Sequence, residues 1–256
     1  MAKAIAICNQ KGGVGKSTTA VNVGSSLALL GKRTLLVDLD PQGNSTTSCG
    51  ALRGRLTKTL YEALVDGLSV DEILIASAVE RLDLLPSSLD LAGVDLKLAQ
   101  TSERETALKR LCEPLQSRYD AILFDCPPSL GLLTINALVA CDCVLIPVQC
   151  EYLALEGLNT LLHAIDLVKQ KLNPNLSIGG IVLTMTDFRA NLTKEVSEEV
   201  KRFFKELVFE TAIPRNVRLA ESPSFGKPIC LYDPTSSGAI AYDRLARELA
   251  TKTGLV

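Results

Sequence analysis

Short runs of apolar, largely β-branched residues alternate with helix-length amphipathic segments along the whole chain. This alternation predicts an α/β fold with a mostly parallel, twisted sheet and helices on both faces. Most of the runs are apolar throughout, which is typical of strands that helices cover on both sides. The predicted strands are residues 4–9, 34–38, 82–85, 121–125, 143–147, 178–184 and 208–213.

The segments between these runs have the length and amphipathic pattern of helices. The predicted helices are residues 17–30, 102–116, 129–140, 153–171, 192–206 and 237–251. Gly31 is expected to end the first helix, and Ser102 with Glu105 three residues later is expected to begin the second. The chain contains no repeat, low-complexity tract or linker rich in Pro, Gly and Ser, so we expect residues 1–256 to form a single domain.

A glycine-rich loop joins the first predicted strand to the first predicted helix. Glycines allow backbone N–H groups to curl around a phosphate, and the N-terminus of the following helix adds partial positive charge. Lys16 can reach the β- and γ-phosphates, and the Ser17 hydroxyl can bind Mg²⁺. The predicted nucleotide-binding residues of the loop are Lys11, Gly12, Gly13, Val14, Gly15, Lys16, Ser17 and Thr18.

The loop departs from the usual G-x-x-x-x-G-K-[ST] pattern because Gln10 replaces the first glycine. A dinucleotide-binding site competes with this interpretation, since Gly13-x-Gly15 is followed by an acid, Asp38, at the next strand end. That alternative requires a third small residue where Thr18 stands, and it leaves Lys16 and Ser17 unexplained. A nucleoside triphosphate site therefore explains the loop better.

Three carboxylates follow predicted strands at the edge where ligands of open α/β sheets bind. Asp125 ends an apolar strand and is expected to hold Mg²⁺ directly or through water. Asp40 lies on the turn after the second strand, where it can point at the γ-phosphate and orient the attacking water. Asp38 alternates to the other side, and we expect a structural or supporting role for it.

Composition limits how this chain could contact DNA or a membrane. The net charge is −2, which excludes a nucleic-acid binder that works by bulk positive charge. Residues 187–230 carry eight basic and seven acidic groups, a sum of only +1. The eight cysteines contain no C-x-x-C pair and lie mainly in apolar runs, so we interpret them as buried thiols. No signal peptide or membrane-spanning run is apparent, and we expect a reduced, cytoplasmic protein.

Longer stretches of sequence carry a family resemblance. Residues 11–17 match the deviant Walker A pattern K-G-G-x-G-K-[ST] in full, and residues 38–45, 125–128, 184–192 and 213–228 are similar to further family motifs. In these stretches the chain resembles the ParA/Soj-type chromosome- and plasmid-partitioning ATPases. The resemblance implies a P-loop NTPase fold of the deviant Walker A class and a weak, Mg²⁺-dependent ATPase that uses ATP.

The resemblance also implies individual roles. Lys11 would reach across a two-fold interface to the partner's ATP, so that a sandwich homodimer forms only with ATP bound. The implied catalytic residues are Lys11, Lys16 and Asp40; the metal site is Ser17 with Asp125; the adenine contacts are Pro214 and Asn216; the non-specific DNA contacts are Arg189 and Arg218. A ParB-like centromere-binding partner would stimulate hydrolysis and release the dimer from the nucleoid, and no N-terminal helix-turn-helix domain is expected.

Three other classes share parts of this pattern. A MinD-like, membrane-associated cell-division ATPase has the same loop, but it would need a basic amphipathic helix at the C-terminus. An iron–sulfur carrier of the nitrogenase-reductase type would use Cys141 and Cys143 as ligands. A metabolic ATP-dependent ligase or kinase remains open, although no substrate-specific motif supports it.

Overall fold

The computed structural model describes residues 1–99, 101, 103–151 and 154–255, and at residues 53 and 154–156 it describes the backbone only. Two predicted helix starts, Ser102 and Leu153, lie outside the described residues.

Seven strands form one sheet in the described part of the chain, in the order β3-β4-β2-β5-β1-β6-β7. Every neighbouring pair is parallel except β3 with β4, which is antiparallel. The strands are β1 Lys3–Ile7, β2 Thr34–Asp38, β3 Ile75–Ala76, β4 Leu82–Leu85, β5 Ala121–Asp125, β6 Cys143–Gln149 and β7 Ser177–Thr184. The predicted mostly parallel α/β fold is confirmed.

The α-helices within the described residues cover both faces of this sheet. They are α1 Lys16–Leu29, α2 Asn44–Ser48, α3 Leu60–Val65, α4 Val94–Leu98, α5 Ala107–Cys112, α6 Leu132–Ala140, α7 Ala154–Lys171, α8 Asn191–Phe204, α9 Val217–Glu221, α10 Ile229–Tyr232 and α11 Ser237–Thr253. Gly31 has φ 87° and its N–H donates to the Ala28 carbonyl, so it follows the end of α1 as predicted.

Alternate residues of the strands other than β3 enter two separate hydrophobic cores. On β5, Leu123 packs with α1 and α11 on one face, whereas Phe124 packs with α3, α5 and α6 on the other. All five residues of β5 are buried, which explains why its sequence is apolar rather than alternating. The central strands are therefore fixed from both sides, and their carboxyl ends form a rigid edge.

The predicted strand at residues 208–213 was wrong. This segment runs beside β7, but it forms only isolated bridges, Ile181 with Val208 and Thr186 with Pro214. Between them, the Glu248 carboxylate of α11 accepts the backbone N–H groups of Glu210 and Thr211, at 2.9 and 3.2 Å. A side chain thus takes donors that a continuous ladder would use.

Two other predictions needed correction. No strand was predicted at residues 75–76, where the structure has the edge strand β3; two residues are too short to give a sequence pattern. The helix predicted over residues 102–116 has its α-helical part only at Ala107–Cys112, followed by a 3₁₀ turn at Glu113–Leu115. Pro114 lies in that turn and has no N–H to continue the α-helical pattern. No helix in the described ranges is long and apolar enough to cross a membrane.

Candidate nucleotide site

The candidate site lies at the carboxyl edge of the sheet, where β1, β2 and β5 end side by side. Asp125 is paired in register with Ile7 on β1 and with Asp38 on β2. The loop that follows β1 therefore begins directly beside the two strand-end carboxylates. This is the position where open α/β sheets bind ligands.

The backbone of the loop leaves room and donors for an anion. Gly13 and Gly15 have φ of 76° and 85°, values that residues with a Cβ rarely adopt. A Cβ at Gly12 or Gly13 would meet no atom within 4 Å, so both face open space. Helix α1 begins at Lys16 without a side-chain cap, and its first N–H groups therefore remain available to a phosphate.

Lys16 places its ammonium group inside this loop. The side chain is buried, and Nζ donates to the Lys11 carbonyl at 3.0 Å. Burial lowers the pKa of Lys16, and the nearby carboxylates of Asp125 and Asp40 partly oppose this effect. The lysine is thus close to two predicted site acids, and it can exchange a neutral carbonyl for a phosphate oxygen without travelling far.

Asp125 has the features of a cation ligand. It is fully buried, and its Oδ2 accepts a hydrogen bond from the Ser45 hydroxyl at 2.7 Å. Its Oδ1 is buried without a hydrogen-bond partner of ordinary geometry among the described residues. Burial raises the pKa of Asp125 to about 6, although the Ser45 and Ser17 hydroxyls lower it. An orphaned carboxylate oxygen near a serine hydroxyl suits Mg²⁺, which prefers oxygen ligands.

The other two acids differ in their surroundings. Asp40 lines the loop cavity, and its Oδ1 accepts the Gln42 N–H at 2.9 Å. Asp38 is fully buried and accepts both the N–H and the hydroxyl of Thr46 at 2.7 Å. Burial and the neighbouring Asp125 raise the pKa of Asp38 to about 8. These contacts agree with a structural role for Asp38, but it lies beside Asp125 rather than away from the site.

Two adjoining cavities form one crevice along the loop. The first, of about 430 Å³, is lined by Gly12, Gly13, Gly15, Lys16, Ser17, Thr18 and Asp40, with other residues. The second, of about 300 Å³, is lined by Pro214 and Asn216, the two predicted adenine contacts, and by Tyr242. Gly15, Thr18, Met185, Leu219 and Ala220 line both cavities. The crevice therefore brings the phosphate and base residues together.

Lys11 and Val14 do not line either cavity. The Val14 side chain is buried, and its carbonyl accepts the Thr184 hydroxyl at 2.9 Å, which ties the loop to the end of β7. Lys11 instead points along the surface, where Nζ lies 2.7 Å from Glu151 Oε2. Sequence reasoning missed Glu151, because nothing in a chain separation of 140 residues signals this contact.

The predicted DNA contacts lie apart from the crevice and are exposed. Arg189 is 92% exposed and pairs with both oxygens of Asp187 at 2.8 Å. Arg218 lies 3.0 Å from Glu221 and 3.5 Å from Asp233. These acids neutralise both arginines in the single chain.

A wide groove of about 1050 Å³ adjoins Arg189, and its lining includes Lys201, Arg215 and Arg244. These three side chains make no ion pair within the part of the chain that the structure describes. Arg244 lies on α11, outside the basic segment that the sequence indicated. The groove therefore adds cations to the surface around Arg189, while Arg218 does not line it.

The two cysteines of the iron–sulfur alternative are separated by the sheet. Cys141 packs in the core that contains Phe124, and Cys143 packs in the core that contains Leu123. Burial raises the pKa of both thiols, which disfavours the thiolate that a cluster would require. This pair cannot supply two adjacent ligands.

Comparison with known proteins places this fold and site in a family. A family model described as "AAA domain" matches residues 2–178. The sporulation initiation inhibitor protein Soj of Bacillus subtilis is 56% identical over 98% of this chain and 99% of its own length. The chromosome partitioning protein ParA of Myxococcus xanthus is 54% identical over 96% of this chain and 87% of its own.

Solved structures agree on the architecture. A cobyrinic acid a,c-diamide synthase from Mycobacterium smegmatis, crystallised with an ATP analogue and magnesium, has a TM-score of 0.86 and 38% identity, covering 96% of this chain and 93% of its own. The cell-division ATPase MinD of Pyrococcus furiosus has a TM-score of 0.81 and 26% identity, covering 98% and 99%. Coverage is similar in all of these matches, and the much greater sequence identity to the partitioning proteins shows to which family the chain belongs. The chain belongs to the Soj/ParA family of chromosome-partitioning proteins.

Proposed function

We propose that this protein binds ATP with Mg²⁺ in the crevice, hydrolyses it slowly, and uses the cycle in DNA segregation. The role in DNA segregation is proposed because the chain is similar to partitioning proteins over nearly its full length. The solved relative with a bound ATP analogue and magnesium supports the choice of nucleotide and cation.

The chemistry of the donors supports this ligand. The free N–H groups of α1 and the glycine loop would bind the phosphates, and Lys16 would leave the Lys11 carbonyl to neutralise them. Ser17 and Asp125 would hold Mg²⁺, with the unpartnered Asp125 Oδ1 facing the cation directly or through water. Bound Mg²⁺ would spread the negative charge of the transferring phosphoryl group. Asp40 would orient the attacking water from the wall of the same cavity.

Dimerisation is proposed to depend on Lys11. This lysine does not line the crevice of its own chain, so its ammonium can serve a second protomer's phosphates. A cation delivered only by a partner couples assembly to the ATP-bound state. The expected product is a two-fold homodimer with ATP between the subunits.

DNA binding is proposed to use Arg189, Arg218 and the adjoining groove cations of two protomers. The carboxylates that pair with these arginines are partly exposed and the arginines are exposed, and such ion pairs are weak enough to exchange for phosphates. A dimer would double the number of phosphate contacts and raise the apparent affinity steeply at low salt. A ParB-like partner would then stimulate hydrolysis and release the dimer.

An ATP-dependent DNA retention assay tests this proposal. Arg189→Ala and Arg218→Ala should each weaken DNA retention and reduce its salt dependence, while ATP binding persists. Arg33→Ala is the matched control, because Arg33 pairs with both oxygens of Asp120 as Arg189 does with Asp187, but at the start of β2. Retention that is equal in all variants would refute this DNA face.

The MinD-like alternative is not favoured by any of these observations. A liposome co-sedimentation assay with Mg²⁺ and ATP separates the two functions. We expect the protein to stay in the supernatant with vesicles of anionic lipid and to be retained by DNA under the same conditions.

A further inference from the structure

Met185 occupies the junction between the phosphate cavity and the base cavity. It follows the last residue of β7, Thr184, and its side chain lines both parts of the crevice. Its terminal methyl lies 3.9 Å from where a Cβ on Gly15 would stand, so it reaches across to the glycine loop. Any molecule that fills both cavities must pass beside this thioether.

The backbone holds Met185 at this junction. Its φ is 51°, in the left-handed region that non-glycine residues seldom occupy. The next residue, Thr186, fixes the strained position: its N–H donates to the Ile213 carbonyl at 3.0 Å, and its own carbonyl accepts the Arg215 N–H at 3.1 Å. The side chain is therefore anchored at its base and cannot withdraw from the crevice by a simple backbone shift.

The other sulfur atoms are better protected. Seven of the eight cysteines are buried and Cys230 is half-buried. Burial raises the pKa of seven thiols and so suppresses the reactive thiolate: Cys49, Cys112, Cys126, Cys141, Cys143, Cys150 and Cys230. Thioether oxidation needs no deprotonation. Met185 is also the only methionine besides Met1, so it is the one internal thioether of the chain.

We propose that Met185 is a peroxide-sensitive modification site whose oxidation weakens nucleotide binding and which bound nucleotide protects. Hydrogen peroxide transfers one oxygen atom to the sulfur lone pair, giving methionine sulfoxide and water. The sulfur is oxidised by two electrons and the peroxide O–O bond is broken. The product carries a polar S–O group where the crevice wall was apolar and flexible.

The geometry explains why nucleotide binding and the oxidation of Met185 oppose each other. A nucleotide that spans both cavities lies against Met185 and covers it, since Met185 lines both cavities where the glycine loop approaches it. A sulfoxide oxygen at the same junction would need water or a donor, and its dipole would lie close to anionic phosphates. An unpaired polar group buried against the ligand weakens binding by roughly 5- to 160-fold, the equivalent of about 1–3 kcal/mol. This inference rests on the proposed nucleotide site.

The test treats the full-length protein with hydrogen peroxide, with and without Mg²⁺ and ATP, and follows the peptide containing Met185 by mass spectrometry. We expect ATP to slow the gain of one oxygen at Met185. We also expect the oxidised protein to bind a fluorescent ATP analogue about tenfold more weakly. Treatment with methionine sulfoxide reductase should restore the affinity, because it reverses thioether oxidation but not sulfinic acids of cysteine.

Met185→Leu is the control variant, since leucine keeps the apolar wall without an oxidisable sulfur. Its affinity should survive peroxide, and Met185→Gln should bind weakly without peroxide. Equal oxidation rates with and without ATP, full affinity after oxidation, or an equal peroxide loss in Met185→Leu would overturn the inference. If the untreated protein fails to bind ATP at all, the proposed nucleotide site fails first, and the two failures are thereby distinguished.

Discussion

The ammonium of Lys11 is held 2.7 Å from Glu151 Oε2, while the other oxygen of that carboxylate accepts the Gln149 side-chain N–H at 2.6 Å. The lysine proposed to act on a partner's ATP is therefore engaged within its own chain. Both members of the pair are partly exposed, 35% and 47%, so the contact is weak enough to break when a better anion arrives. In the proposed dimer, Glu151 would thus compete with the partner's phosphates for Lys11.

Glu151→Gln should release Lys11 without harming the fold. Exposed ion pairs contribute about 0.2–1 kcal/mol, so the stability of the single chain should change by less than about 1 kcal/mol. Each dimer releases two such pairs, so ATP-dependent dimerisation should strengthen by roughly 2- to 30-fold. Analytical ultracentrifugation with a slowly hydrolysed ATP analogue measures the dimer. Glu72→Gln is the matched control, because Glu72, shortly before the edge strand β3, forms a similarly exposed pair with Lys58. A weaker dimer in Glu151→Gln would contradict this competition.

Asp40→Asn should separate ATP binding from hydrolysis. Asparagine can still accept the Gln42 N–H that fixes the turn, but it removes the carboxylate that would orient water. Turnover should fall by on the order of 10²-fold while nucleotide affinity stays near its normal value. Phosphate release and fluorescent-nucleotide binding give the two measurements. Asp90→Ala, on an exposed turn, serves as the control, and unchanged turnover in Asp40→Asn would remove Asp40 from the mechanism.

The ligand-free protein should lose stability as the pH rises from about 4 to about 8. Burial raises the pKa of Asp125 to about 6 and of Asp38 to about 8, above the unfolded value of about 3.9. In this window the unfolded state has lost protons that the folded state still holds. The free energy of unfolding therefore falls as the pH rises through the window. Urea unfolding at several pH values should show a smaller decline between pH 6 and 8 for Asp38→Asn. Parallel curves for the two proteins would contradict the raised pKa of Asp38.

The central strands could be predicted because burial on both faces leaves an apolar run with sharp ends. The bounds expected for β2, β4 and β5 are those observed. The segment at residues 208–213 is apolar at both ends, but the backbone N–H groups of Glu210 and Thr211 in its middle donate to Glu248 on α11. A local pattern cannot reveal that competitor. The edge strand β3 has only two residues, and pairing rather than periodicity defines it.

The phosphate loop could be predicted because one continuous segment carries most of its chemistry. Glycines, Lys16 and the start of α1 are adjacent in sequence, and strand order alone brings Asp125 beside them. Glu151, Met185 and Arg244 were missed, because their roles depend on contacts across long chain separations. Met185 did have one local signal, since it lies in a family motif, but only the three-dimensional structure shows that it lines the crevice beside Gly15.

Thr46→Val should destabilise the protein by about 1–3 kcal/mol. The Thr46 hydroxyl donates to Asp38 Oδ2 at 2.7 Å and accepts the Ser87 N–H at 2.9 Å, and all three residues are buried. Valine keeps the shape but leaves a buried donor and a buried carboxylate each short of a partner. Thr46→Ser should keep most of the stability in urea unfolding. Thr47→Val, on the exposed side of α2, should cost much less, and equal losses would show that the Asp38 contact is unimportant.

Gly180→Ala and Gly157→Ala should change stability in opposite directions. Gly180 follows an irregularity in the pairing of β6 with β7 and has φ 154°, and a Cβ there would collide with the Phe209 ring. That ring cannot easily retreat, because Phe209 is buried and the ammonium of Lys252, on α11, lies 4.4 Å from the centre of the ring. The substitution should cost about 1–3 kcal/mol. Gly157 lies in α7 with no atom within 4 Å of an added Cβ, so alanine there should stabilise by about 0.5–1 kcal/mol. Urea unfolding measures the change in the free energy of unfolding for each variant. A Gly180→Ala protein as stable as the parent would mean that Phe209 has another place to pack.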